Sequence, residues 1–254
     1  MALASLFILT GASRGLGAAM AEKILAPDVV LLCISRLPHP DLAGLARSVG
    51  AKVEQWRRDL SHPAEVAAAL EGWLQAVDTG RFDDATLINN AGVLSRVGPL
   101  RECDDADLSR AMRVGLEAPV LLTAAFLRQT LRWRGKRRVL NISSGLGRHP
   151  MAGAATYCAA KAGLDHFSRA VALDEAAQPN GARIVSLAPG VIDTDMQGQL
   201  RDADPRGFPD RSRFVGLKAS AELASPALAA SRVLGWLKRP DFGDPVVADI
   251  RDAD

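Results

Sequence analysis

Cysteine is scarce in this sequence, and the few cysteines are scattered. The 254 residues include Cys33, Cys103 and Cys158, at wide spacing and with no CxxC pair among them. An odd number so spaced argues against a disulfide framework and a zinc site, and the four histidines show no metal-ligand spacing either. We therefore expect a reducing, cytoplasmic compartment and no bound metal.

Net charge is also small, with a formal value of +2 at pH 7. So slight an excess gives no reason to expect nucleic acid or an anionic membrane as a partner. The basic cluster at 132–138 is interpreted as a solvated turn, with a nucleic-acid patch as the alternative.

Long apolar runs are absent as well, since none approaches the ~20 residues that a membrane span needs. The apolar start at 3–9 lacks the basic segment that opens a signal peptide, and it runs directly into a glycine motif. We interpret it as the first strand of the fold, and we expect no membrane partner.

Short apolar runs alternate with longer segments of helical periodicity along the chain. Because strands that alternate with helices form βαβ units, the pattern predicts a single α/β domain over residues 1–254. Its expected architecture is a Rossmann-type, doubly wound parallel sheet of about seven strands with helices on both faces. The predicted strands are 6–9, 29–34, 52–56, 85–88, 138–142, 182–187 and 246–250. The predicted helices include 15–25, 63–77, 105–132, 155–177 and 220–237.

Residues 196–216 interrupt this pattern. They are rich in Arg, Asp, Gly and Pro and have no clear periodicity. Two interpretations stay open, a surface loop or a mobile lid over a substrate, because the segment follows a strand end where ligands bind in such sheets.

A glycine-rich turn follows the first predicted strand. Residues 10–17 read TGASRGLG and lead into a predicted helix. Glycines let the backbone approach a pyrophosphate, and the N-terminus of a helix offers free N–H groups and the positive end of its dipole. Glycine triplets alone are weak evidence, but between a strand and a helix they predict a dinucleotide site.

The end of the second predicted strand bears on the choice of cofactor. NAD-binding folds usually carry an acid there, which accepts from the ribose 2′-hydroxyl. Here residues 33–36 read CISR, with no acid before Asp41, and Arg14 lies in the glycine turn. The guanidinium groups of Arg14 and Arg36 and the Ser35 hydroxyl suit a 2′-phosphate, so the sequence predicts NADP(H). Either arginine taken alone could instead be simply solvated.

Two further strand ends carry polar groups suited to a cofactor. Asp59 is expected to accept from the adenine amine, with a helix N-cap role shared with Ser61 as the alternative. The fourth strand ends in residues 89–92, which read NNAG, and two amides and a glycine there suit a close approach of the cofactor and the satisfaction of strand-end backbone groups. An ordinary turn is the alternative at that position.

A tyrosine and a lysine lie four residues apart in a predicted helix. Because residues at i and i+4 share a face, the Tyr157 phenol and the Lys161 ammonium are expected to be neighbours. The ammonium favours the phenolate, so we expect the pKa of Tyr157 to fall from its usual ~10 toward neutrality. Ser144, at the end of a strand, is expected to bond a substrate carbonyl oxygen. Tyr157 is the only tyrosine of the chain.

These motifs together resemble the short-chain dehydrogenase/reductase family over essentially the whole chain. They are residues 10–17, 89–92, 141–144 (NISS), 157–161 (YCAAK) and 189–190 (PG). The resemblance implies catalysis by Ser144, Tyr157 and Lys161, with Lys161 also binding the ribose, and a contact of Thr194 with the nicotinamide carboxamide. The cofactor contacts expected from the turn and the resemblance are with Gly11, Ser13, Arg14, Gly15, Leu16, Gly17, Ser35, Arg36, Asp59, Leu60, Asn90, Ala91, Gly92, Tyr157, Lys161, Pro189, Gly190, Val191, Ile192 and Thr194.

Within the family, the segments 157–159, 189–197 and 242–249 resemble the group of sepiapterin reductases and benzil reductases. This resemblance implies NADPH-dependent reduction of a ketone or diketone, with a small-molecule carbonyl compound as substrate. Family members often pair through two long helices, which implies a homodimer or homotetramer.

One position departs from the family pattern. Family members usually read Asn-Leu-x-Ala-Pro where residues 115–119 read GLEAP. The family's asparagine shapes the helix and helps to hold a water linked to the lysine. Gly115 keeps the backbone carbonyl but loses that side chain, so we expect a slower or differently built proton relay. The departure keeps open a second function, an NADPH-binding sensor or scaffold protein with impaired turnover.

Overall fold

A computed structural model of the chain describes residues 4–253. Its strands are β1 (Ala4–Thr10), β2 (Val29–Ser35), β3 (Lys52–Arg57), β4 (Phe82–Asn89), β5 (Lys136–Ile142), β6 (Arg183–Ala188) and β7 (Val247–Asp249). Its α-helices are α1 (Gly15–Ile24), α2 (Leu42–Val49), α3 (Pro63–Ala76), α4 (Asp105–Met112), α5 (Ala118–Thr130), α6 (Ala155–Ala176), α7 (Asp195–Asp202), α8 (Arg211–Ala219) and α9 (Pro226–Leu237). A π-helical turn, Arg113–Glu117, joins α4 to α5.

The seven strands form one sheet in the order β3-β2-β1-β4-β5-β6-β7. Every neighbouring pair is parallel, so each connection must cross over the sheet, and helices occupy these connections. The predicted α/β class and Rossmann-type architecture are confirmed. Every strand predicted from the sequence is present, with ends that differ by at most three residues.

Successive side chains of β1 point to opposite faces of the sheet. Leu6 and Ile8 belong to the apolar cluster formed with α3 and α5, whereas Leu9 belongs to the cluster formed with α1 and α9. All three side chains are fully buried. A strand covered on both faces must be apolar throughout, which explains why these strands appear as near-continuous apolar runs in the sequence.

The order of the strands reverses at β1, with β2 and β3 on one side of it and β4 to β7 on the other. In open α/β sheets, ligands bind in the crevice at the carboxyl ends of the strands beside such a point. The glycine turn after β1 and the segment after β4 meet at this crevice.

The segment 105–132 is not the single helix that its periodicity predicts. The N–H of Ala118 bonds to the carbonyl oxygen of Arg113, five residues earlier, and Pro119 has no N–H to donate. The helix therefore changes to a π-helical turn between α4 and α5, and the prediction of one uninterrupted helix was wrong.

Two other segments differ from the boundaries predicted from the sequence. The helix predicted to begin at 220 begins at Pro226, because the Ser225 hydroxyl accepts from the N–H of Leu228 and caps it there. Residues 196–216, which appear as a loop in the sequence, lie largely within α7 and α8. The segment is anchored by Phe208 and Phe214, whose spacing follows no helical period.

Neither a membrane-spanning helix nor a metal cluster is found in residues 4–253. Among the helices described there, none combines the length and the apolar composition required to cross a membrane. In the same part of the chain, no group of three or more His, Cys, Asp or Glu side chains is arranged to hold a metal ion.

Candidate active site

The glycine turn presents backbone rather than side chains to the crevice above β1. Gly11 and Gly15 have φ angles of +71° and +57°, which residues with a Cβ rarely adopt. A Cβ on Gly17 would lie 2.0 Å from the carbonyl oxygen of Gly11, so the close packing of α1 on the turn requires glycine. The N-terminus of α1 has no side-chain cap and no acid in its first turn, which leaves its N–H groups available to an anion.

Side chains from two strand ends hold this turn in place. Ser35 Oγ accepts from the N–H of Ala12 at 2.8 Å. Asn90 Nδ2 donates to the carbonyl oxygens of Thr10 at 3.0 Å and Gly11 at 3.2 Å. Ser35 and Asn90 were predicted as cofactor contacts, and the structure shows that they also shape the loop to which a cofactor would bind.

A cleft of about 1000 Å³ lies over the carboxyl ends of the strands, a volume at the upper end of the range for ligand sites. Its lining contains every residue that the sequence assigned to cofactor binding or catalysis. These residues are Gly11, Ser13, Arg14, Gly15, Leu16, Gly17, Ser35, Arg36, Asp59, Leu60, Asn90, Ala91, Gly92, Ser144, Tyr157, Lys161, Pro189, Gly190, Val191, Ile192 and Thr194. The fold thus brings together segments that are far apart in the chain.

Two arginines line the cleft where β2 and β3 end. Arg36 was predicted from the sequence, and Arg58 was missed. Both are exposed, and the N–H of Arg58 donates to the carbonyl oxygen of Ser35 at 2.9 Å, so the two strand ends are tied together. Because Arg58 directly precedes the predicted adenine contact, its position in the sequence was the signal that could have found it.

Arg14 has a partner that sequence reasoning could not find. Its Nη1 lies 2.6 Å from Oδ2 of Asp195, the first residue of α7. The two side chains are 67% and 69% exposed, so the ion pair contributes little to stability. Its structural effect is to join the glycine turn to the start of α7, directly before residues 196–216, which were predicted as a possible lid.

Asp59 lies at the exposed rim of the cleft and does not cap a helix. Its Oδ1 accepts from the N–H of Ser61 at 2.9 Å, and this hydrogen bond lowers the pKa of the carboxyl group. α3 begins only at Pro63, and its preceding residue makes no side-chain cap. Of the two roles considered from the sequence, the helix cap is therefore not realised, whereas the adenine contact stays a prediction.

Ser144, Tyr157 and Lys161 converge on one wall of the cleft. The Ser144 hydroxyl lies close enough to the Tyr157 phenol to lower its pKa, and Lys161 Nζ lies 5.6 Å from the centre of the Tyr157 ring. Lys161 is buried, and its Nζ donates to the carbonyl oxygen of Ile142 at 2.7 Å. The neighbouring positions of Tyr157 and Lys161 agree with their i, i+4 spacing on α6.

The pKa of Tyr157 differs from the value expected from the sequence. Burial raises it to about 12, because loss of water penalises the phenolate more than the nearby Ser144 hydroxyl stabilises it. The expectation of a lowered pKa was wrong, since the spacing in the sequence indicates the ammonium but not the burial. Tyr157 is consequently protonated at neutral pH, which is the state that a proton donor requires.

Burial has the opposite effect on the neighbouring lysine. It lowers the pKa of Lys161 to about 8, and the negative charge of Asp165, one helical turn further along α6, opposes this change. Lys161 is therefore an ammonium at neutral pH and loses its charge a little above it.

Gly115 lies within the π-helical turn and faces α6. A Cβ at this position would lie 3.1 Å from the Cβ of Ala160, so glycine allows the two helices to approach. Pro119 withholds the usual α-helical donor from the carbonyl oxygen of Gly115, four residues earlier. Gly115 therefore leaves room for α6, and its carbonyl oxygen lacks the donor that an uninterrupted α-helix would supply.

Beyond Tyr157 the cleft has an apolar wall. Leu94, Met151, Leu200 and Phe214 are almost fully buried, belong to one apolar cluster, and line the cleft. Because Leu200 and Phe214 come from α7 and α8, the segment predicted as a lid forms part of the site, although its mobility stays a prediction. The exposed side chain of His149 also lines the cleft.

Asn89 and Thr194 lie in different environments. Asn89 is buried, and its Nδ2 donates to Thr123 Oγ1 at 3.1 Å and to Asn141 Oδ1 at 2.8 Å. Asn89 therefore ties strand ends together inside the fold, and Asn90 is the amide of the 89–92 segment that lines the cleft. Thr194 lines the cleft, and its Cγ2 would be 3.4 Å from a Cβ placed on Gly15.

Known proteins resemble the chain along most of its length. The family model described as short chain dehydrogenase matches residues 5–205. The chain is 32% identical over 235 residues to the benzil reductase ((S)-benzoin forming) of Bacillus cereus, covering 92% of this chain and 94% of that protein. It is 32% identical over 258 residues to the sepiapterin reductase of Meriones unguiculatus, covering 96% and 95%.

A solved structure extends the comparison. A metagenomic short-chain oxidoreductase in complex with NADP has a TM-score of 0.69 and 28% identity to the chain, covering 96% of this chain and 94% of that one. The resemblance to benzil and sepiapterin reductases that the sequence motifs indicated is confirmed.

Proposed function

The chain belongs to the short-chain dehydrogenase/reductase family of oxidoreductases, and on that basis we propose that it is an NADPH-dependent carbonyl reductase in which Tyr157 protonates the substrate oxygen. The observation that carries the proposal is the meeting of Ser144, Tyr157 and Lys161 on the wall of the cleft that also contains the glycine turn. A reductase needs a proton donor and a dinucleotide site within reach of one substrate carbonyl, and this cleft holds candidates for both.

The residues of the cleft fit a nicotinamide dinucleotide. The backbone of the glycine turn and the uncapped N-terminus of α1 suit its pyrophosphate. When bound, the cofactor supplies the hydride that reduces the carbonyl carbon.

The protein's own groups supply the proton and the orientation. The Ser144 hydroxyl bonds the substrate oxygen and stabilises the negative charge that develops there. Tyr157 gives its phenolic proton to the same oxygen, so that hydride on carbon and proton on oxygen together make an alcohol. The Lys161 ammonium stabilises the phenolate that remains and binds the ribose.

The preference for NADPH rests on the end of the cleft near β2. The chain has no acid there before Asp41, and Arg14, Arg36 and Arg58 line the cleft. Guanidinium groups bind a 2′-phosphate well, whereas an acid would repel it. The NADP complex of a structural relative supports the same choice.

The substrate class is inferred from the apolar wall. Leu94, Met151 and Phe214 suit an aromatic or other large apolar group beside the reacting carbonyl. Relatives named as benzil reductases support an aromatic ketone or 1,2-diketone.

The proposal is tested by following NADPH oxidation at 340 nm with a panel of simple ketones, aromatic ketones and aromatic 1,2-diketones, benzil among them. We expect turnover with at least one aromatic diketone and a chiral hydroxyketone as its product. Tight NADPH binding without turnover of any carbonyl compound would contradict the proposal and favour the sensor or scaffold function.

A further inference from the structure

Asp165 lies on the same face of α6 as Tyr157 and Lys161, one helical turn after Lys161. Residues at i, i+4 and i+8 share one face of a helix. Each of the three lies beside one of the consecutive residues 142–144, the last residue of β5 and the two that follow it. The contact of Asp165 is with Ser143, whose hydroxyl donates to Asp165 Oδ1 at 2.5 Å.

The surroundings of Asp165 are unusual for a carboxylate. The residue is 2% exposed, and its Oδ1 also accepts from the Ser186 hydroxyl on β6 at 2.7 Å. Its Oδ2 is buried without a hydrogen-bond partner, and a Cβ on Gly147 would lie 2.8 Å from it. A carboxylate without water is stable only where hydrogen bonds and an opposite charge offset its desolvation. Ser143 and Ser186 supply the hydrogen bonds. The carboxylate also requires an opposite charge nearby.

Lys161 supplies the opposite charge. The carboxylate of Asp165 raises the pKa of Lys161 against burial, which lowers it. Nζ itself donates to the carbonyl oxygen of Ile142, so Asp165 acts through its electric field across one helical turn rather than through a direct hydrogen bond.

Other charged or titratable groups line the cleft into which this wall faces. They are Tyr157 on α6, Arg110 on α4, His149 after β5, and Asp249 and Arg251 at β7. Arg110 is paired with Asp107, and Arg251 with Asp249. All of them line the cleft, whereas Asp165 lies behind its wall and is closed off from solvent.

We propose that Asp165 is a positioning residue for the reaction, providing the counter-charge of Lys161 and, through Ser143, fixing the backbone that presents Ser144. This inference rests on the proposed reductase function. Asp165 touches neither substrate nor cofactor and acts through the residues that do.

The test is Asp165→Asn, which keeps the shape of the side chain and an acceptor oxygen but removes its charge. With less negative charge nearby, Lys161 loses its proton at lower pH. At alkaline pH, kcat/KM for ketone reduction declines as Lys161 loses its proton, and we call this decline the alkaline limb. We expect the midpoint of the alkaline limb to lie about 0.5–1 pH unit lower in Asp165→Asn than in the wild type. Ser186→Ala is the matched control, since it removes a buried hydrogen bond to the same oxygen but leaves the charge.

A purely structural role predicts a different outcome. In that case, Asp165→Asn and Ser186→Ala lower the thermal midpoint alike, and both leave the alkaline limb where it lies in the wild type. That result would overturn the proposal.

A second variant tests the positioning part even where Asp165→Asn fails to fold. Ser143→Ala keeps the carboxylate but breaks its link to the loop that carries Ser144. We expect kcat to fall several-fold more than in Ser186→Ala, with NADPH affinity within about twofold of the wild type. Equal kcat in the two serine variants would contradict the proposal.

A binding measurement separates failure of this inference from failure of the proposed function. If the wild type reduces no carbonyl compound, the reductase proposal fails, but the Lys161 ammonium is still expected to support NADPH binding. Tryptophan fluorescence then gives the pH dependence of NADPH affinity. The loss of affinity at alkaline pH should begin at lower pH in Asp165→Asn, and coincident curves would contradict the role of Asp165.

Discussion

Arg14 and Asp195 form an ion pair of 2.6 Å that joins the glycine turn to the first residue of α7. The pair connects two walls of the cleft, the proposed cofactor turn and α7, the helix that continues into the predicted lid at 196–216. Arg14 is also a proposed ligand of the 2′-phosphate, and one guanidinium cannot direct all its donors to both partners. We therefore expect Asp195 to compete with the cofactor for Nη1 of Arg14.

Replacing Asp195 by Asn should release Arg14 to the 2′-phosphate. We expect the ratio of NADPH to NADH affinity to rise about two- to fivefold, because an exposed ion pair of this kind contributes up to about 1 kcal/mol. Fluorescence titration with both cofactors measures the ratio. Asp202→Asn, at the other end of α7, controls for the change in charge, and a ratio that stays unchanged or falls in Asp195→Asn would show that Arg14 does not bind the phosphate.

Arg36 should control cofactor choice more strongly. Arg36→Asp places an acid where a 2′-phosphate would be repelled and a ribose 2′-hydroxyl could be bound. We expect the NADPH/NADH ratio of kcat/KM to fall more than tenfold. Arg47→Asp, on α2 and outside the cleft lining, makes the same charge change as a control, and equal ratios in the two variants would refute the assigned contact.

The alkaline limb of the pH profile should come from the lysine and not from the tyrosine. Reduction needs Tyr157 protonated and Lys161 charged. The pKa of Tyr157 is raised to about 12 and that of Lys161 is lowered to about 8, so Lys161 loses its proton first as pH rises. We expect kcat/KM for ketone reduction to decline above about pH 8. A profile that stays flat to pH 10 would contradict this assignment.

Direct titration of the phenol checks the same assignment without turnover. Tyr157 is the only tyrosine, so the ultraviolet absorbance of phenolate reports this residue alone. We expect no phenolate signal in the enzyme without cofactor until well above pH 10, provided that the fold is intact by circular dichroism. A signal that appears near neutral pH would restore the lowered pKa expected from the sequence.

The elements of the fold could be predicted from the sequence wherever a short local pattern determines the structure. Leu6 and Ile8 show why, since strands buried on both faces produce apolar runs whatever covers them. The glycine turn and the Tyr157–Lys161 spacing likewise depend on short-range geometry. These features located the cleft and most of its lining.

The sequence could not show relationships that depend on distant packing. Arg14 and Asp195 are 181 positions apart, and nothing local to either residue indicates the other. The burial that raises the pKa of Tyr157 also comes from its surroundings in the fold. The π-helical turn is an intermediate case, because Pro119 signals a missing N–H but does not indicate which hydrogen-bond pattern replaces it.

Substitution of Gly115 tests how tightly the π-helical turn packs against α6. Alanine normally stabilises a helix interior by about 1 kcal/mol relative to glycine, but a Cβ on Gly115 would press on the Cβ of Ala160 at 3.1 Å. We therefore expect Gly115→Ala to lower the thermal midpoint. Gly72→Ala, in α3 with nothing within 4 Å of the new Cβ, should raise it. Stabilisation by both substitutions would show that α6 does not pack tightly on Gly115.

The rate of the Tyr157→Phe variant tests the central claim most directly. Phenylalanine keeps the ring and removes only the hydroxyl that we propose as the proton donor. The measurement is kcat for reduction of an aromatic 1,2-diketone at pH 7, with NADPH affinity determined on the same sample by fluorescence. We predict that kcat falls at least about a thousandfold, consistent with the usual scale of general acid catalysis, while NADPH affinity changes less than about threefold. A variant that binds NADPH normally and retains a tenth or more of the wild-type kcat would contradict the account.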